Sequence, residues 1–177
     1  MSDIITIKYF KSPIGELIIG DYKSQICLCD WRYRKLRDKI DSRIKSELNA
    51  QYLEGSTQVI DECISQIQEY LSYKRKKFTI PILLIGTPFQ KEVWNSLLEI
   101  PFGKTISYKK QAQNLNKEKA VRAIASANGL NAISIIVPCH RVIGSDGNLT
   151  GYAGGLSAKK KLLDIENDLF VQEGING

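Results

Sequence analysis

The sequence predicts an α/β domain over residues 1–85 followed by a mostly helical domain over residues 86–177. Short apolar segments separated by turn residues fill the first 35 residues, which favours strands. Later segments repeat their apolar residues every three or four positions, which favours helices. Between them, Gly86, Thr87 and Pro88 predict a boundary, because a threonine N-cap followed by proline is typical of a helix start. At 177 residues, the chain is long enough for two small domains that each bury a core.

In the first domain, three strands are predicted at residues 4–10, 16–20 and 26–31. A helix is predicted over residues 56–73, where the apolar positions form one face and Thr57 is a suitable N-cap. Cys63 lies on that apolar face and is expected to be a buried core thiol. Residues 78–85 are predicted to close the sheet as an edge strand, since Pro81 cannot donate to a central ladder.

The second domain begins with a helix from Thr87 that ends near residues 101–103. Two short helices follow at about 108–115 and 117–128, and their tight turn suggests a helix-turn-helix. That pattern alone is weak, because most helix pairs bind nothing. A β-branched run at 133–137 predicts a short strand that ends at Pro138, and residues 157–167 predict a final helix.

Composition narrows the class of protein. Hydrophobic residues make up 43% and charged residues 25%, as in ordinary globular proteins. The apolar runs are far shorter than the roughly 20 residues of a bilayer span, and the N-terminus lacks the order of a secretory signal. We therefore expect a cytoplasmic protein that does not enter a membrane. Its four cysteines are expected to be free thiols, and its single histidine makes a structural zinc improbable.

Positive charge is concentrated in the second domain. The net charge is +6, and residues 103–161 hold ten basic and only two acidic residues. The basic residues are Lys104, Lys109, Lys110, Lys117, Lys119, Arg122, Arg141, Lys159, Lys160 and Lys161. Such a segment is either a solvated surface or a binding surface for a polyanion, and charge alone does not decide between them.

Candidate chemistry lies in Cys139 and His140, which follow Pro138 at the end of the predicted strand. A free thiol is only a few per cent thiolate at neutral pH, so a reactive cysteine needs an imidazole, a positive charge or a helix N-terminus nearby. His140 and Arg141 are the first candidates. Neighbouring residues on a strand point to opposite faces, so direct contact requires a turn at Cys139. The alternative is a core cysteine beside a surface histidine.

The string from Ile135 to Gly144, with Pro138, Cys139 and His140 at its centre, resembles the active-site motif of the O6-alkylguanine-DNA alkyltransferases. The similarity continues at matching spacing on both sides. It includes Ile106, Ser107, Tyr108, Ala112, residues 120–123 and Asn131 upstream, and residues 151–156, Leu162, Leu163 and Glu166 downstream.

The resemblance implies a ribonuclease-H-like N-terminal domain and a winged-helix-like, helix-turn-helix C-terminal domain that binds DNA. It implies irreversible, single-turnover transfer of a methyl or small alkyl group from the O6 atom of guanine to Cys139, with no cofactor. The implied partner is double-stranded DNA, bound by a monomer through the minor groove with the damaged nucleotide flipped out. Activity on O4-alkylthymine is left open.

Individual roles also follow from the resemblance. Cys139 is the nucleophile, His140 its base through a water, and Glu166 the group that orients His140. Tyr108 would hydrogen-bond the purine and assist its departure, and Asn131 would tie the recognition helix to the active-site segment. Each of the last three residues also has a simpler explanation. Glu166 could be a surface carboxylate, Tyr108 a half-buried aromatic residue and Asn131 a turn residue.

Two further groups of residues are assigned in the same way. Arg122 would enter the base stack and hold it open, beside the small residue Ala123 and with Ser107 and Tyr108 near the phosphates. The base pocket would be walled by Val142, Tyr152, Ala153 and Gly154. Small residues beside Arg122 suit close approach to a groove, although they could equally pack against another helix.

The sequence departs from the family at three places, because Ala132 and Ser134 stand where relatives carry proline and Ala153 stands for a serine. Two other functions remain open. One is a non-catalytic module that only recognises alkylated guanine, against which Cys139 argues. The other is a cysteine hydrolase or acyltransferase, for which no oxyanion-hole motif is evident.

Overall fold

The N-terminal half is built on a four-stranded sheet. The structure is a computed structural model that describes the backbone of residues 1–176 and the side chains of residues 1–168. The strands are β1 (Asp3–Ser12), β2 (Gly15–Tyr22), β3 (Gln25–Trp31) and β4 (Ala50–Glu54), in the spatial order β3-β2-β1-β4. The first three are antiparallel and confirm the three predicted strands, whereas β4 pairs with β1 in parallel.

Two helices cover this sheet. Helix α2 (Gln58–Leu71) confirms the prediction, and the Thr57 hydroxyl accepts a hydrogen bond from the backbone N–H of Ile60 at 3.3 Å. The helix buries Cys63 and Tyr70 among its apolar residues. Helix α1 (Arg37–Leu48) and the following β4 were not predicted. Only Ile40 and Ile44 of α1 are buried, which leaves too narrow an apolar stripe for sequence periodicity to detect.

The edge of β3 is covered by two segments from elsewhere in the chain. The predicted strand at residues 78–85 is wrong, because this segment forms only an isolated bridge between Ile82 and Ile26. The Ile26 N–H donates to the carbonyl of Pro81 at 2.9 Å, an acceptor role that proline can fill. Further along the edge, the Cys29 N–H donates to the carbonyl of Ala132 at 2.8 Å, and its carbonyl accepts from Ser134 N–H at 2.7 Å.

The C-terminal half is mostly helical. Its elements are α3 (Pro88–Leu98), β5 (Ile106–Ser107), α4 (Tyr108–Asn114), a 3-10 helix (Glu118–Ala120), α5 (Val121–Gly129), a second 3-10 helix (Cys139–Arg141), β6 (Val142–Ile143) and α6 (Leu156–Asn176). Thr87 and Gln90 form a capping box at the start of α3, as the sequence predicts. Helices α4 and α5 form the predicted helix pair, packed on α3 through Val93, Ala112 and Ile124. Among residues 1–176, no helix has the length and apolar composition needed to cross a membrane.

The predicted strand at 133–137 is also wrong. Ile133 makes one bridge with Cys29, and the chain then turns through residues 134–137. Ile135 is buried with a φ of 72°, which is rare for a β-branched residue. This turn places Cys139 at the start of a 3-10 helix rather than at the end of a strand.

Candidate active site

A cavity of about 860 Å³ lies between the two halves of the chain and has Cys139 in its wall. The N-terminal half contributes the loop after β3. The C-terminal half contributes α4, the end of α5 and the glycine-rich loop before α6 (residues 144–155). The lining residues are Tyr33, Arg34, Lys35, Leu36, Tyr108, Ala125, Asn128, Gly129, Asn131, Cys139, Thr150, Gly151, Tyr152, Ala153, Gly154 and Gly155. The lining thus combines the thiol with several glycines and with the aromatic rings of Tyr33, Tyr108 and Tyr152.

Cys139 is held by Asn131. The Asn131 carboxamide donates to the Cys139 Sγ at 3.4 Å and to the Val137 carbonyl at 2.9 Å, and accepts from the Ile133 N–H at 2.9 Å. Burial raises the pKa of the Cys139 thiol, and the hydrogen bond from Asn131 opposes this only in part. At neutral pH the group is therefore a thiol, and it needs a base to become a nucleophile.

His140 supplies an oriented imidazole. Its Nε2 lies 2.6 Å from the Glu166 Oε2, and both side chains are buried. Burial lowers the pKa of His140 despite the opposing effect of Glu166. A neutral ring that donates from Nε2 to a carboxylate carries a lone pair on Nδ1. Nδ1 is buried and has no hydrogen-bond partner among the residues described, so this lone pair can accept a proton.

Glu166 is the centre of a buried hydrogen-bond network. It accepts from the Tyr70 hydroxyl at 2.6 Å, from the Arg141 Nε at 2.8 Å and from the Gly103 N–H at 3.3 Å. Burial alone would raise its pKa, but the bonds from His140 and Arg141 outweigh burial and hold the pKa at about 2. Glu166 is therefore ionised at any physiological pH and fixes the His140 ring.

Sequence reasoning missed part of this network. Tyr70 lies 96 residues from Glu166, and nothing in its position on α2 indicated a polar role. Arg141 was a candidate for activating the thiol, but its guanidinium instead binds Glu166 and the Ile100 carbonyl, the latter at 2.7 Å. Arg141 thus acts on the carboxylate and not on the sulfur.

The predicted pocket wall divides into two layers. Tyr152, Ala153 and Gly154 line the cavity, whereas Val142 is fully buried in β6 behind them. The Lys159 ammonium joins the layers, since it donates to the Val142 carbonyl at 2.7 Å and to the Thr150 carbonyl at 2.8 Å. Lys159 was counted with the basic surface, but it is fully buried and anchors the glycine-rich loop.

Position 154 has room only for glycine. A Cβ atom at this position would overlap the Trp31 indole, so the loop can approach the N-terminal half this closely only with glycine there. Trp31 also contacts Tyr152 edge to face, with ring centroids 5.8 Å apart. The N-terminal half therefore supports the back of the glycine-rich loop.

Of the predicted DNA-binding residues, Tyr108 lines the cavity and the others lie outside its lining. Ser107 caps α4 by accepting from the Lys110 N–H at 2.9 Å, and Tyr108 is a half-buried cavity residue. Arg122 and Ala123 are exposed near the start of α5 and do not line the cavity. The structure thus brings Cys139, His140, Glu166, Asn131 and Tyr108 together and leaves Arg122 and Ala123 on the adjoining helix surface.

Comparison with known proteins identifies the family. Residues 5–84 match the 6-O-methylguanine DNA methyltransferase ribonuclease-like domain, and residues 88–168 match the DNA binding domain of the same family. The chain belongs to the 6-O-methylguanine DNA methyltransferase family. Both halves of its fold, the four-stranded sheet and the helical half with Cys139, are therefore shared with that family.

Individual members support the assignment. The chain is 39% identical over 158 residues to a methylated-DNA--protein-cysteine methyltransferase of Methanosarcina barkeri, covering 89% of this chain and 94% of that one. An inducible enzyme of the same name from Bacillus subtilis is 54% identical over 101 residues, which span 57% of this chain and 56% of the relative. A Mycobacterium tuberculosis protein solved in complex with DNA is similar in structure, with a TM-score of 0.79, 35% identity and coverage of 93% and 94% of the two chains.

Ser134, which stands at a position where relatives in this family are expected to carry proline, makes a hydrogen bond across the two halves. The Ser134 hydroxyl donates to the buried Asp30 carboxylate at 3.2 Å. Asp30 also binds Arg37 at 2.9 Å and Arg34 at 3.2 Å. Ser134 therefore links the active-site segment to a charged network in the N-terminal half, which the sequence did not indicate.

Proposed function

We propose that this protein repairs DNA by transferring an alkyl group from the O6 atom of guanine to the Sγ of its own Cys139. The observation that carries this proposal is the arrangement of Cys139 in a cavity wall beside a neutral His140, whose Nε2 is fixed by Glu166 at 2.6 Å. Relatives named methylated-DNA--protein-cysteine methyltransferases, which match along most of the chain, support the same chemistry.

The reaction consists of one displacement. The Cys139 proton passes to Nδ1 of His140, directly or through one water, while Glu166 stabilises the resulting imidazolium. The Sγ then attacks the alkyl carbon, the new S–C bond forms, and the C–O6 bond breaks with its electron pair on guanine. Tyr108, in the same cavity, donates a hydrogen bond that stabilises the departing guanine anion, which then takes up a proton from solvent. The product thioether is a poor leaving group, so each molecule reacts once and needs no cofactor.

The cavity suits an extruded guanine. An O6 atom inside a duplex is out of reach, so the nucleotide must flip into the protein at a cost of a few kcal/mol. We assign Tyr152, Ala153 and Gly154 to the wall that contacts the base edge, with Val142 supporting them through Lys159. Arg122 is exposed on α5, where it can enter the gap that the base leaves.

The remaining details of binding are part of the same proposal. Helix α5 lies in the minor groove, the basic residues of the C-terminal half contact phosphates, and one monomer acts alone. The N-terminal domain, residues 1–85, has a ribonuclease-H-like fold, and the C-terminal domain, residues 86–177, is winged-helix-like. The protein acts in the cytoplasm, on methyl and small alkyl groups.

A stoichiometry assay tests the proposal. Duplex DNA with labelled O6-methylguanine is incubated with excess and limiting protein, and the label on protein is counted. One equivalent per chain, absent in Cys139→Ala although this variant still binds the duplex, is the expected result. No label on the wild-type protein would indicate a binding module, and many product molecules per chain would indicate a hydrolase. Either of these outcomes overturns the proposal.

A further inference from the structure

The C-terminal end of helix α5 is capped by two arginines from the N-terminal half. The last carbonyls of a helix have no partners within it, and α5 has no basic residue in its final turn. Arg34 donates to the carbonyls of Gly129 and Asn131, the latter at 3.3 Å. Arg43 donates to the intervening Leu130 carbonyl from both terminal nitrogens at 3.2 Å.

Both arginines are themselves held in place. The side chain of Arg34 is only 5% exposed, and its Nη1 lies 3.2 Å from each oxygen of the buried Asp30. Arg43 lies over the Trp94 ring at 5.1 Å, and the Trp94 indole N–H donates to the Ala127 carbonyl of α5 at 2.8 Å. Two fixed guanidinium groups therefore bind three successive carbonyls with little freedom to shift.

Asn131 connects this cap to the thiol. Its carbonyl accepts from Arg34, and its carboxamide donates to the Cys139 Sγ. A displacement of this residue by about 1 Å can lower a reaction rate by about 100-fold, because the nucleophile is no longer aligned. The contact of Arg43 differs, since it is made with the carbonyl of Leu130, whose apolar side chain cannot hydrogen-bond to the thiol.

We propose that Arg34 and Arg43 are positioning residues through which the N-terminal domain fixes the end of α5 and, through Arg34 alone, sets the geometry of the active site. Arg34 aligns Asn131 and thereby Cys139, whereas Arg43 holds only the orientation of α5. This inference rests on the proposed function and adds a task for the N-terminal domain. The competing explanation is that both arginines only hold the two halves of the protein together.

The test compares Arg34→Met, Arg43→Met and the control Arg32→Met. Arg32 lies in the same loop and binds Glu16 of its own half at 3.2 Å, so its removal leaves α5 untouched. The single-turnover rate at saturating O6-methylguanine, used as the free base, is followed by intact mass at a temperature where circular dichroism shows each variant folded. Affinity for duplex DNA is measured in parallel.

Arg34→Met is expected to react about 10- to 100-fold more slowly with the free base, while Arg43→Met keeps the wild-type rate and loses duplex affinity. Arg32→Met should change neither quantity. If Arg34→Met reacts as fast as the wild type, the inference is wrong and the arginines only join the domains. If Arg34→Met does not fold, Arg34→Lys is used with the same expectation, because an ammonium lacks the planar fork with which the guanidinium binds both carbonyls and Asp30. A wild-type protein that takes no alkyl group would overturn the proposed function instead.

Discussion

Replacing Glu166 by glutamine tests the central network of the site. The substitution keeps the size of the side chain but removes the charge that faces Arg141 and His140. The folded protein holds the pKa of Glu166 near 2 instead of 4.5, which corresponds to about 3 kcal/mol of stabilisation by the ionised carboxylate. Removing one partner of a buried ion pair generally lowers the free energy of unfolding by about 3–5 kcal/mol, which agrees with this figure. For a protein of this length, we expect the melting temperature to fall by about 6–20 °C.

Thermal and urea denaturation at pH 7 measure this effect, and Glu69→Gln is the matched control. Glu69 pairs with Arg75 at 3.1 Å, but its side chain is 41% exposed, so the control should lose no more than about 1 kcal/mol. Since the folded-state pKa of Glu166 is lowered, its ionic contribution is complete above pH 4.5 and is lost as the pH falls towards 2. The role of Glu166 would be refuted if both variants lost the same free energy of unfolding. It would also be refuted if the difference between Glu166→Gln and the wild type did not shrink in acid.

Three further predictions concern the reaction and the DNA. Because burial lowers the pKa of His140, the wild-type transfer rate should be constant above pH 6.5 and fall only at lower pH. In His140→Gln, the rate at pH 7 should drop by about 10²–10⁴-fold and rise with pH, as the thiol itself must ionise; an unchanged pH profile contradicts this. Arg122→Ala should impair repair of duplex more than reaction with free O6-methylguanine base, and equal losses would refute its role in flipping. Replacing the exposed Lys109 and Lys110 together by glutamine should reduce the slope of log affinity against log salt by about 2, and titrations at several salt concentrations would show an unaltered slope if these lysines do not contact phosphates.

The sequence predicted those helices and site residues that depend only on residues close together in the chain. The start of α3 was predictable because Thr87, Pro88 and Gln90 supply a complete capping box. Helix α2 was predictable because its apolar residues form one continuous face. The adjacency of Cys139 and His140, together with the family resemblance of the surrounding segment, indicated the candidate site.

Other features depend on contacts between distant segments. Ile135 favours a strand by its own chemistry, yet it has a φ of 72° at a turn and is buried in a core that both halves share. The bond between Tyr70 and Glu166 joins residues from different domains. Lys159 was predicted to belong to the basic surface, but the fold buries its ammonium against two carbonyls. Sequence spacing contains no information on such pairs.

The way β3 is covered has a consequence for fragments of this protein. An open strand edge is a template for intermolecular pairing and aggregation. Residues of the C-terminal half, Ala132 to Ser134, occupy part of the β3 edge next to Cys29, and that stretch of the strand is apolar apart from Asp30. A nascent or proteolytic fragment that ends before residue 132 would present those backbone groups to other chains. We therefore expect such fragments to self-associate, so that completion of synthesis protects the protein from misassembly.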